Sequence, residues 1–348
     1  MSEKYSIIEI FDKKDFTPLV FAKTSSFTQS YEYGTWQEKL GRKVYRYNIL
    51  KNDTPVGTFQ VIKYPLILSK KYLYIPHGPV INEKLTNELS IFLATEFKKI
   101  LRETNSAFLR LDIYPQASNA EENLLKKYFT QTPIASYYSA FFQSKFDWHL
   151  DISIPENEIL ANMHQKTRHC VDISQKRGVT VLQVSGSQMM SHFERFYELM
   201  QETSTRGKFH LHPKEYYFEI FKSAETDPNI ILFIAQYEGV TLANHLLVFY
   251  GNTVYYPFGA STRAESNRMP SYALHWHTIK EGKKRGCVFY DFGAVASGDK
   301  IIRDNWDGIS TFKRKFGGSV LEYGDFYDCV LSWPFYWLYN LRKKLKRI

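Results

Sequence analysis

The chain is poor in cysteine and has no long apolar run, and each absence excludes a class of protein. Its 348 residues contain three cysteines, at positions 170, 287 and 329, with no CxxC pair. An odd number of distant cysteines supports neither a disulfide framework nor a zinc site. No segment has the roughly 20 apolar residues that cross a bilayer, and MSEKYSIIEIFDKKD at the N-terminus lacks the apolar core of a signal peptide. We therefore expect a cytoplasmic protein without a metal site.

Acidic residues are in the minority, with 36 Asp and Glu against 45 Lys and Arg, which gives a net charge of +9. Such a balance suits a phosphate-rich or membrane-surface partner, although a merely basic surface explains it equally well. The length exceeds the usual span of one hydrophobic core, so two domains are expected.

An aromatic-Pro-Gly pattern occurs twice, as YIPHG at 74–78 and YYPFG at 255–259. Proline in a strand-like run is tolerated only where its missing N–H is not needed, and the following glycine indicates a bend. Upstream of each copy, two alternating segments flank a turn, at 43–64 and at 229–252. Each of these segments predicts a β-hairpin.

The residues downstream of the two copies also correspond. Helical spacing of apolar residues is followed in each by a buried strand, FLRLDIYP at 108–115 and CVFYDFGAV at 287–295. The tyrosines that open the pentads lie 181 residues apart, and Asp112 and Asp291 in the final strands lie 179 apart. A repeated unit of hairpin, Pro-Gly strand, helix and strand predicts mixed α+β sheets and resembles the GNAT acyltransferase fold.

We therefore expect two tandem GNAT-like domains. The first comprises residues 1–150 together with 322–348, and the second comprises 151–321. The final stretch, YWLYNLRKKLKRI, predicts a basic, aromatic amphipathic helix. Its cationic residues suit an anionic lipid surface, and a solvated tail explains them equally well. These cations are Arg342, Lys343, Lys344, Lys346 and Arg347.

Short segments along nearly the whole chain resemble one family, and they occur in that family's order. They are FTQSYEYGTWQEKLGRKVYR (27–46), YIPHGPV (74–80), RLD (110–112), ILANMHQKTRHCVDISQKRGVTV (159–181), TSTRGKF (203–209), YYPFGAS (255–261), MPSYALHW (269–276), YDFGAV (290–295) and GISTFKRKFGG (308–318). Together they are similar to the Fem family (FemA, FemB and FemX), in which two GNAT units transfer amino acids from aminoacyl-tRNA to peptidoglycan precursors. Because no long heptad pair occurs between 185 and 251, the chain resembles the FemX-like form without a coiled-coil arm.

The resemblance implies catalytic roles for Phe312 and Lys313, which match the family's Phe-Lys pair near the reacting ester. A fixed cation in a dry pocket stabilises the oxyanion of acyl transfer. The alternative is a solvated charge run on a strand edge. Asp112 is a candidate general base at a strand end, against the favoured alternative of a structural role beside Arg110 on the same strand face.

Six residues match or neighbour the family's acceptor-binding positions: Gln37, Lys39, Arg206, His212, Tyr216 and Tyr256. The family's acceptor carries a pyrophosphate, which cations and amide donors bind. This chain departs from the family at two positions, where Gln37 replaces a lysine and His212 replaces an arginine. Lys39, Arg206 or Lys208 could supply the missing charge. For the tyrosines, a core position with a satisfied hydroxyl is the alternative.

The resemblance implies an aminoacyltransferase that uses aminoacyl-tRNA as co-substrate and needs no cofactor. Its acceptor would be the stem-peptide amine of a lipid-linked or UDP-linked precursor, and the donor amino acid stays open. We expect a monomer that contacts the inner membrane surface. One rival is an acyl-CoA N-acyltransferase, disfavoured because neither pentad precedes the glycine turn that holds CoA pyrophosphate. Another is a non-catalytic RNA-binding or lipid-binding scaffold, which the Lys313 segment disfavours.

Overall fold

The computed structural model describes residues 4–112, 118–132, 143–296 and 307–345. Its contacts divide the chain into two compact units, Met1–Lys145 with Glu322–Ile348, and Phe146–Leu321. The sequence-based boundary at 150 falls inside a strand, Phe146–Asp151, that pairs within the second unit.

Both halves contain helices and strands. The first half contains β1 (Tyr5–Glu9), α1 (Pro18–Phe21), α2 (Tyr31–Lys39), β2 (Lys43–Lys51), β3 (Thr54–Pro65), β4 (Lys71–Ile75), β5 (Val80–Ile81), α3 (Asn87–Glu103), β6 (Ser106–Asp112), α4 (Asn119–Tyr128) and β7 (Thr130–Gln131). The remainder contains β8 (Phe146–Asp151), α5 (Glu156–Asn162), α6 (Gln165–Lys176), β9 (Thr180–Ser185), α7 (Phe193–Gly207), α8 (Lys214–Ser223), β10 (Ile230–Tyr237), β11 (Val240–Tyr250), β12 (Thr253–Ser261), α9 (Pro270–Lys284), β13 (Phe289–Ala294), α10 (Asp307–Arg314), β14 (Ser319–Glu322), β15 (Phe326–Val330) and α11 (Trp333–Leu345).

The first unit is built on a mixed sheet of order β1-β2-β3-β4-β6-β15-β7, with β5 beside β3. Strands β4 and β6 pair in parallel, and the helix α3 connects them. Thr86 caps that helix by accepting a hydrogen bond from the Leu89 amide at 3.1 Å. Apolar residues at helical spacing on α3, including Leu93 and Phe97, pack against Leu109 and Leu111 of β6. On the other sheet face, Phe108 contacts α11.

The second unit repeats this plan with the order β14-β8-β13-β12-β11-β10-β9. Its parallel pair, β12 with β13, spans α9, which Pro270 opens as the sequence predicts. The described residues between 185 and 251 form two helices and two strands without a long helical pair. The predicted α+β class, with two GNAT-like mixed sheets and no coiled-coil arm, is confirmed. Within the described ranges, no helix is both long and apolar enough to cross a membrane.

The strand pairing explains the two Pro-Gly pentads. On β12, Tyr256 and Pro257 together face one residue of β11, because Leu246 pairs with Phe258 whereas Val248 pairs with Tyr255. This is a β-bulge, where a missing N–H breaks no ladder bond. Pro76 in the first pentad likewise lies just beyond the end of β4. A β-carbon at Gly259 would overlap the Tyr256 hydroxyl, so the glycine lets that side chain fold back.

A buried ion pair ties the C-terminal segment to the first sheet. Arg110 on β6 donates from Nε and Nη2 to the two carboxylate oxygens of Asp328 on β15, at 2.7 and 2.8 Å. Thr132 and Tyr336 add hydroxyl hydrogen bonds to the same carboxylate, at 2.8 and 2.7 Å. Arg110 therefore has Asp328 as its carboxylate partner, 218 residues away, although the sequence indicated its neighbour Asp112.

Removing one member of this pair should destabilise the first unit strongly. Asp328→Asn leaves the buried Arg110 guanidinium without a counter-charge, which costs about 3–5 kcal/mol of unfolding free energy. Urea denaturation followed by circular dichroism measures the change. Lys126→Ala, which breaks the exposed pair with Glu122, is the control and should cost less than about 1 kcal/mol. Equal losses in the two variants would contradict this account.

Candidate active site

Lys313 is held in the second unit by the short helix α10. The Ser310 hydroxyl, one turn earlier, accepts a hydrogen bond from the Ala296 amide at 2.8 Å, and Arg314 donates to the Ala296 carbonyl. These contacts fix α10 beside the end of β13. Lys313 is 7% exposed, and its Nζ donates to the Ala294 carbonyl at 2.7 Å. The alternative of a solvated charge run on a strand edge is therefore wrong.

The Lys313 ammonium lies where β12 and β13 separate. Pairing between the two strands covers only Thr253–Tyr255 with Phe289–Asp291. Beyond this point, β13 continues along β8 and β12 continues along β11. A β-carbon on Gly293 would lie 3.5 Å from the Tyr256 carbonyl oxygen and 3.9 Å from Lys313 Nζ. Gly293 also has a φ of +71°, a conformation that glycine adopts without strain.

Two buried carboxylates set the charge of this site. Asp147 on β8 and Asp291 on β13 both act on Lys313. Burial lowers the pKa of Lys313 while the two carboxylates raise it, and the result is a pKa of about 8. The ammonium form therefore predominates at neutral pH. Among the described residues, Lys313 Nζ donates one hydrogen bond, to the Ala294 carbonyl, whereas an ammonium has three N–H donors.

His149 on β8 belongs to the same charged cluster. Its Nε2 lies 3.2 Å from Asp291 Oδ2, and Asp291 Oδ1 accepts a hydrogen bond from the Gly293 amide at 2.6 Å. Burial alone would lower the pKa of His149, but Asp291 and Asp147 outweigh it and raise that pKa. The cluster thus orders the Gly293 turn beside Lys313. Sequence reasoning missed both His149 and Asp147, which lie in the boundary segment rather than in a recognised motif.

An aromatic and histidine cluster packs around Phe312 and Tyr256. The ring of His275 on α9 lies 4.3 Å from His245, 4.9 Å from Tyr256 and 5.5 Å from Phe312, measured between centroids. Burial lowers the pKa of His245 to about 3 and, with His245 and Lys313 nearby, lowers the pKa of His275. Both imidazoles are therefore neutral near pH 7. Burial also raises the pKa of Tyr256.

Arg206, His212 and Tyr216 gather at the far end of β12. Arg206 donates to the Ser261 carbonyl at 3.0 Å, and the ring of His212 stacks on Tyr216 at 4.1 Å. Both of these rings meet Phe258 edge-on. Tyr256 packs against α9 whereas Phe258 contacts α8, because the bulge lets residues two apart face opposite sides of the sheet. The structure thus separates Tyr256 from the other three candidates.

The remaining candidates lie in the first unit. Gln37 on α2 is buried and its side-chain oxygen accepts from Arg42, whereas Lys39 is exposed two residues later. Asp112 is fully buried and accepts hydrogen bonds from the His77 amide at 2.7 Å and the Tyr74 hydroxyl at 3.2 Å. Burial raises the pKa of Asp112 well above its ordinary value. These contacts favour the structural role over that of a general base.

Within the described ranges, no three His, Cys, Asp or Glu side chains converge as metal ligands do. Lys313 near its pKa can instead supply a positive charge and exchange a proton in a buried setting. Such a group suits reactions in which negative charge develops on a carbonyl oxygen.

Solved structures share this architecture. FemX superposes with a TM-score of 0.83 at 19% identity, over 98% of this chain and 100% of that chain. A tandem GNAT protein from the clavulanic acid biosynthesis pathway superposes with a TM-score of 0.57 at 6% identity, over 93% of this chain and 98% of that one. At these identities the likeness shows the fold.

Curated relatives match part of the chain. A lipid II:glycine glycyltransferase of Staphylococcus epidermidis is 32% identical over 109 residues, which are 31% of this chain and 25% of that protein. A protein of the same name from Staphylococcus haemolyticus is 28% identical over 143 residues, which are 41% of this chain and 33% of the relative. The matches thus span about a quarter to a third of these relatives.

A sequence model of the FemAB family matches residues 13–238 and 224–344, which together take in nearly the whole chain. This match confirms the resemblance that the ordered segments indicate. The chain belongs to the FemAB family.

Proposed function

We propose that the protein transfers an amino acid from aminoacyl-tRNA to the stem-peptide amine of a peptidoglycan precursor, in the cytoplasm. The observation that carries this proposal is the buried Lys313 ammonium at the separation of β12 and β13. The relatives named lipid II:glycine glycyltransferases favour glycine as the donor residue and a lipid-linked acceptor.

In this reaction the acceptor amine attacks the carbonyl carbon of the ester between the amino acid and the tRNA ribose. A C–N bond forms and the carbonyl oxygen becomes an oxyanion, which an N–H of Lys313 stabilises. The oxyanion then collapses and the C–O bond to the ribose breaks. The ribose oxygen takes up a proton and the attacking amine loses one, so the proton count balances. Asp147 and Asp291 keep Lys313 charged through this sequence.

The tRNA in this proposal is recognised through its phosphates rather than its bases. The net charge of +9 supports contacts with the tRNA backbone. Such contacts weaken steeply as the salt concentration rises, because the release of counterions from the phosphates becomes less favourable. The identity of the transferred residue then depends on the ester pocket and on which charged tRNA is supplied.

A direct assay separates this function from its rivals. Purified protein is incubated with a mixture of aminoacyl-tRNAs and either a lipid-linked or a UDP-linked precursor, and product masses are followed. We expect glycine addition to the lipid-linked precursor and no reaction with acetyl-CoA. Acetylation in the absence of charged tRNA would replace the proposal with acyl-CoA-dependent transfer, and no product with any donor would favour a non-catalytic scaffold.

Replacing the Lys313 ammonium should slow the chemical step strongly. Lys313→Met keeps an unbranched side chain but removes the charge, so we expect kcat to fall by about 10²–10³. Single-turnover transfer from glycyl-tRNA measures the loss, and circular dichroism checks the fold. Lys315→Met applies the same change two residues away and should retain most activity. Full activity in Lys313→Met would remove Lys313 from the mechanism.

The pH dependence should report the protonation of Lys313. Only the charged form stabilises the oxyanion, so kcat/KM should fall as pH rises through about 8, by about tenfold per unit beyond that point. Lys313→Arg keeps its charge at all accessible pH values. Its residual rate should therefore lack this decline. The same alkaline decline in both proteins would assign the decline to a group other than Lys313. Ester hydrolysis without enzyme is measured at each pH and subtracted as the blank.

A further inference from the structure

Helix α11 is anchored to the first unit through one face. Tyr336 and Tyr339 are its buried residues, and their rings pack against Phe108 with centroids 5.2 and 5.1 Å away. The Tyr336 hydroxyl also donates to Asp328 at 2.7 Å. The helix is thus a fixed part of the first unit, and its opposite face has a defined orientation relative to the sheet.

That opposite face carries a continuous apolar stripe. Its members are Trp333, Trp337, Leu338, Leu341 and Leu345, with exposed fractions of 45%, 65%, 42%, 53% and 60%. Four of the five recur every fourth residue, so they line one side of the helix, within an arc of about 140° at about 100° per residue. Exposed large apolar side chains are ordinary singly, but a contiguous run of them marks an interaction surface.

The charged residues of α11 are all cations. Residues 333–345 contain no Asp or Glu. Arg342 and Lys344 are exposed. At about 100° per residue, Arg342 lies about 40° beyond the Leu338 edge of the stripe, whereas Lys344 lies near its other edge, between the angular positions of Trp333 and Trp337. Lys343 instead lies over the Tyr339 ring, 5.6 Å from its centroid. Long cationic side chains can keep their charge at a headgroup layer while the apolar face enters it.

The turn between β3 and β4, from which Lys70 reaches α11, also exposes an apolar residue. The turn between β3 and β4 holds Leu68 at φ +49°, where it is 80% exposed. Lys70, two residues later, places its Nζ 5.7 Å from the ring centroid of Phe335 in the first turns of α11. The turn and the helix therefore present apolar and cationic groups from adjacent parts of the same unit.

We propose that α11 is an interfacial helix that docks the protein on an anionic lipid bilayer. An amphipathic helix with tryptophans on one face and cations at its borders lies in the plane of such a surface. A second copy of the chain fits the stripe less well, because pairing two α11 helices would bring like charges of Arg342 and Lys344 together without acidic partners. The docking does not depend on the proposed transfer reaction, although a lipid-linked acceptor would lie at the same surface.

The test uses the full chain and no substrate. Co-sedimentation is measured with vesicles of phosphatidylcholine and phosphatidylglycerol, and with vesicles of phosphatidylcholine alone. We expect strong binding to the anionic vesicles, with a blue shift of tryptophan fluorescence. Trp337→Ala combined with Leu341→Ser should weaken that binding by about tenfold or more. Arg342→Gln combined with Lys344→Gln should weaken binding to anionic vesicles by roughly twenty-five-fold, at about fivefold per charge.

Control variants separate docking from folding and from catalysis. All four changed side chains are exposed, and circular dichroism checks that the fold is kept. Val240→Ser removes an exposed apolar group of the second unit and should bind vesicles like the parent chain, as should Lys313→Met. Unchanged vesicle binding by the Trp337→Ala/Leu341→Ser variant would overturn the proposal. So would a dimer that this variant dissociates, or a loss of tRNA binding in place of vesicle binding.

Discussion

The early end of the pairing between β12 and β13 is the constraint on which the candidate site depends. Two parallel strands that continued side by side would cover the space beside Lys313 with ladder hydrogen bonds. Instead, the bulge at Tyr256 and Pro257 keeps β12 on β11, while β13 follows β8. Gly293 turns at the point of separation, and the Lys313 ammonium reaches that point from α10. The bulge in β12 thus leaves room for the Lys313 ammonium beside β13.

Two of the buried cations among the described residues, Arg110 and Lys313, have different surroundings. Arg110 donates two hydrogen bonds to Asp328, which also accepts hydrogen bonds from Thr132 and Tyr336. The charge of Arg110 is therefore balanced by a carboxylate in direct contact with it. Lys313 has a carbonyl as its hydrogen-bond acceptor among the described residues, and carboxylates act on it through space. Removing the partner of a paired buried charge destabilises a fold, whereas a charge that is incompletely paired is available to a reacting group.

Much of the fold follows from local pattern. Alternation around Asn52-Asp53 and Glu238-Gly239 predicts the two hairpins, and helical spacing after each pentad predicts α3 and α9, as the structure has them. Only part of the candidate site could be predicted from the sequence. Lys313 and Phe312 were predicted because they match a short family motif. Asp147, His149 and His245 belong to no motif that the sequence analysis recognised. Asp328 became the partner of Arg110 through a strand pairing that closes a loop of more than two hundred residues, which local spacing does not reveal.

The sequence by itself determined the repeated unit, the family and the amphipathic character of the last helix, because these depend on residue type and on the order and spacing of residues along the chain. Only the tertiary structure decided that Lys313 is buried on a helix, that Asp112 is satisfied by its own neighbours, and that the apolar stripe of α11 faces outward. Burial, hydrogen-bond partners and pKa depend on which distant segments meet. Contacts between distant segments are determined by the packing of whole sheets and helices rather than by any single stretch of chain.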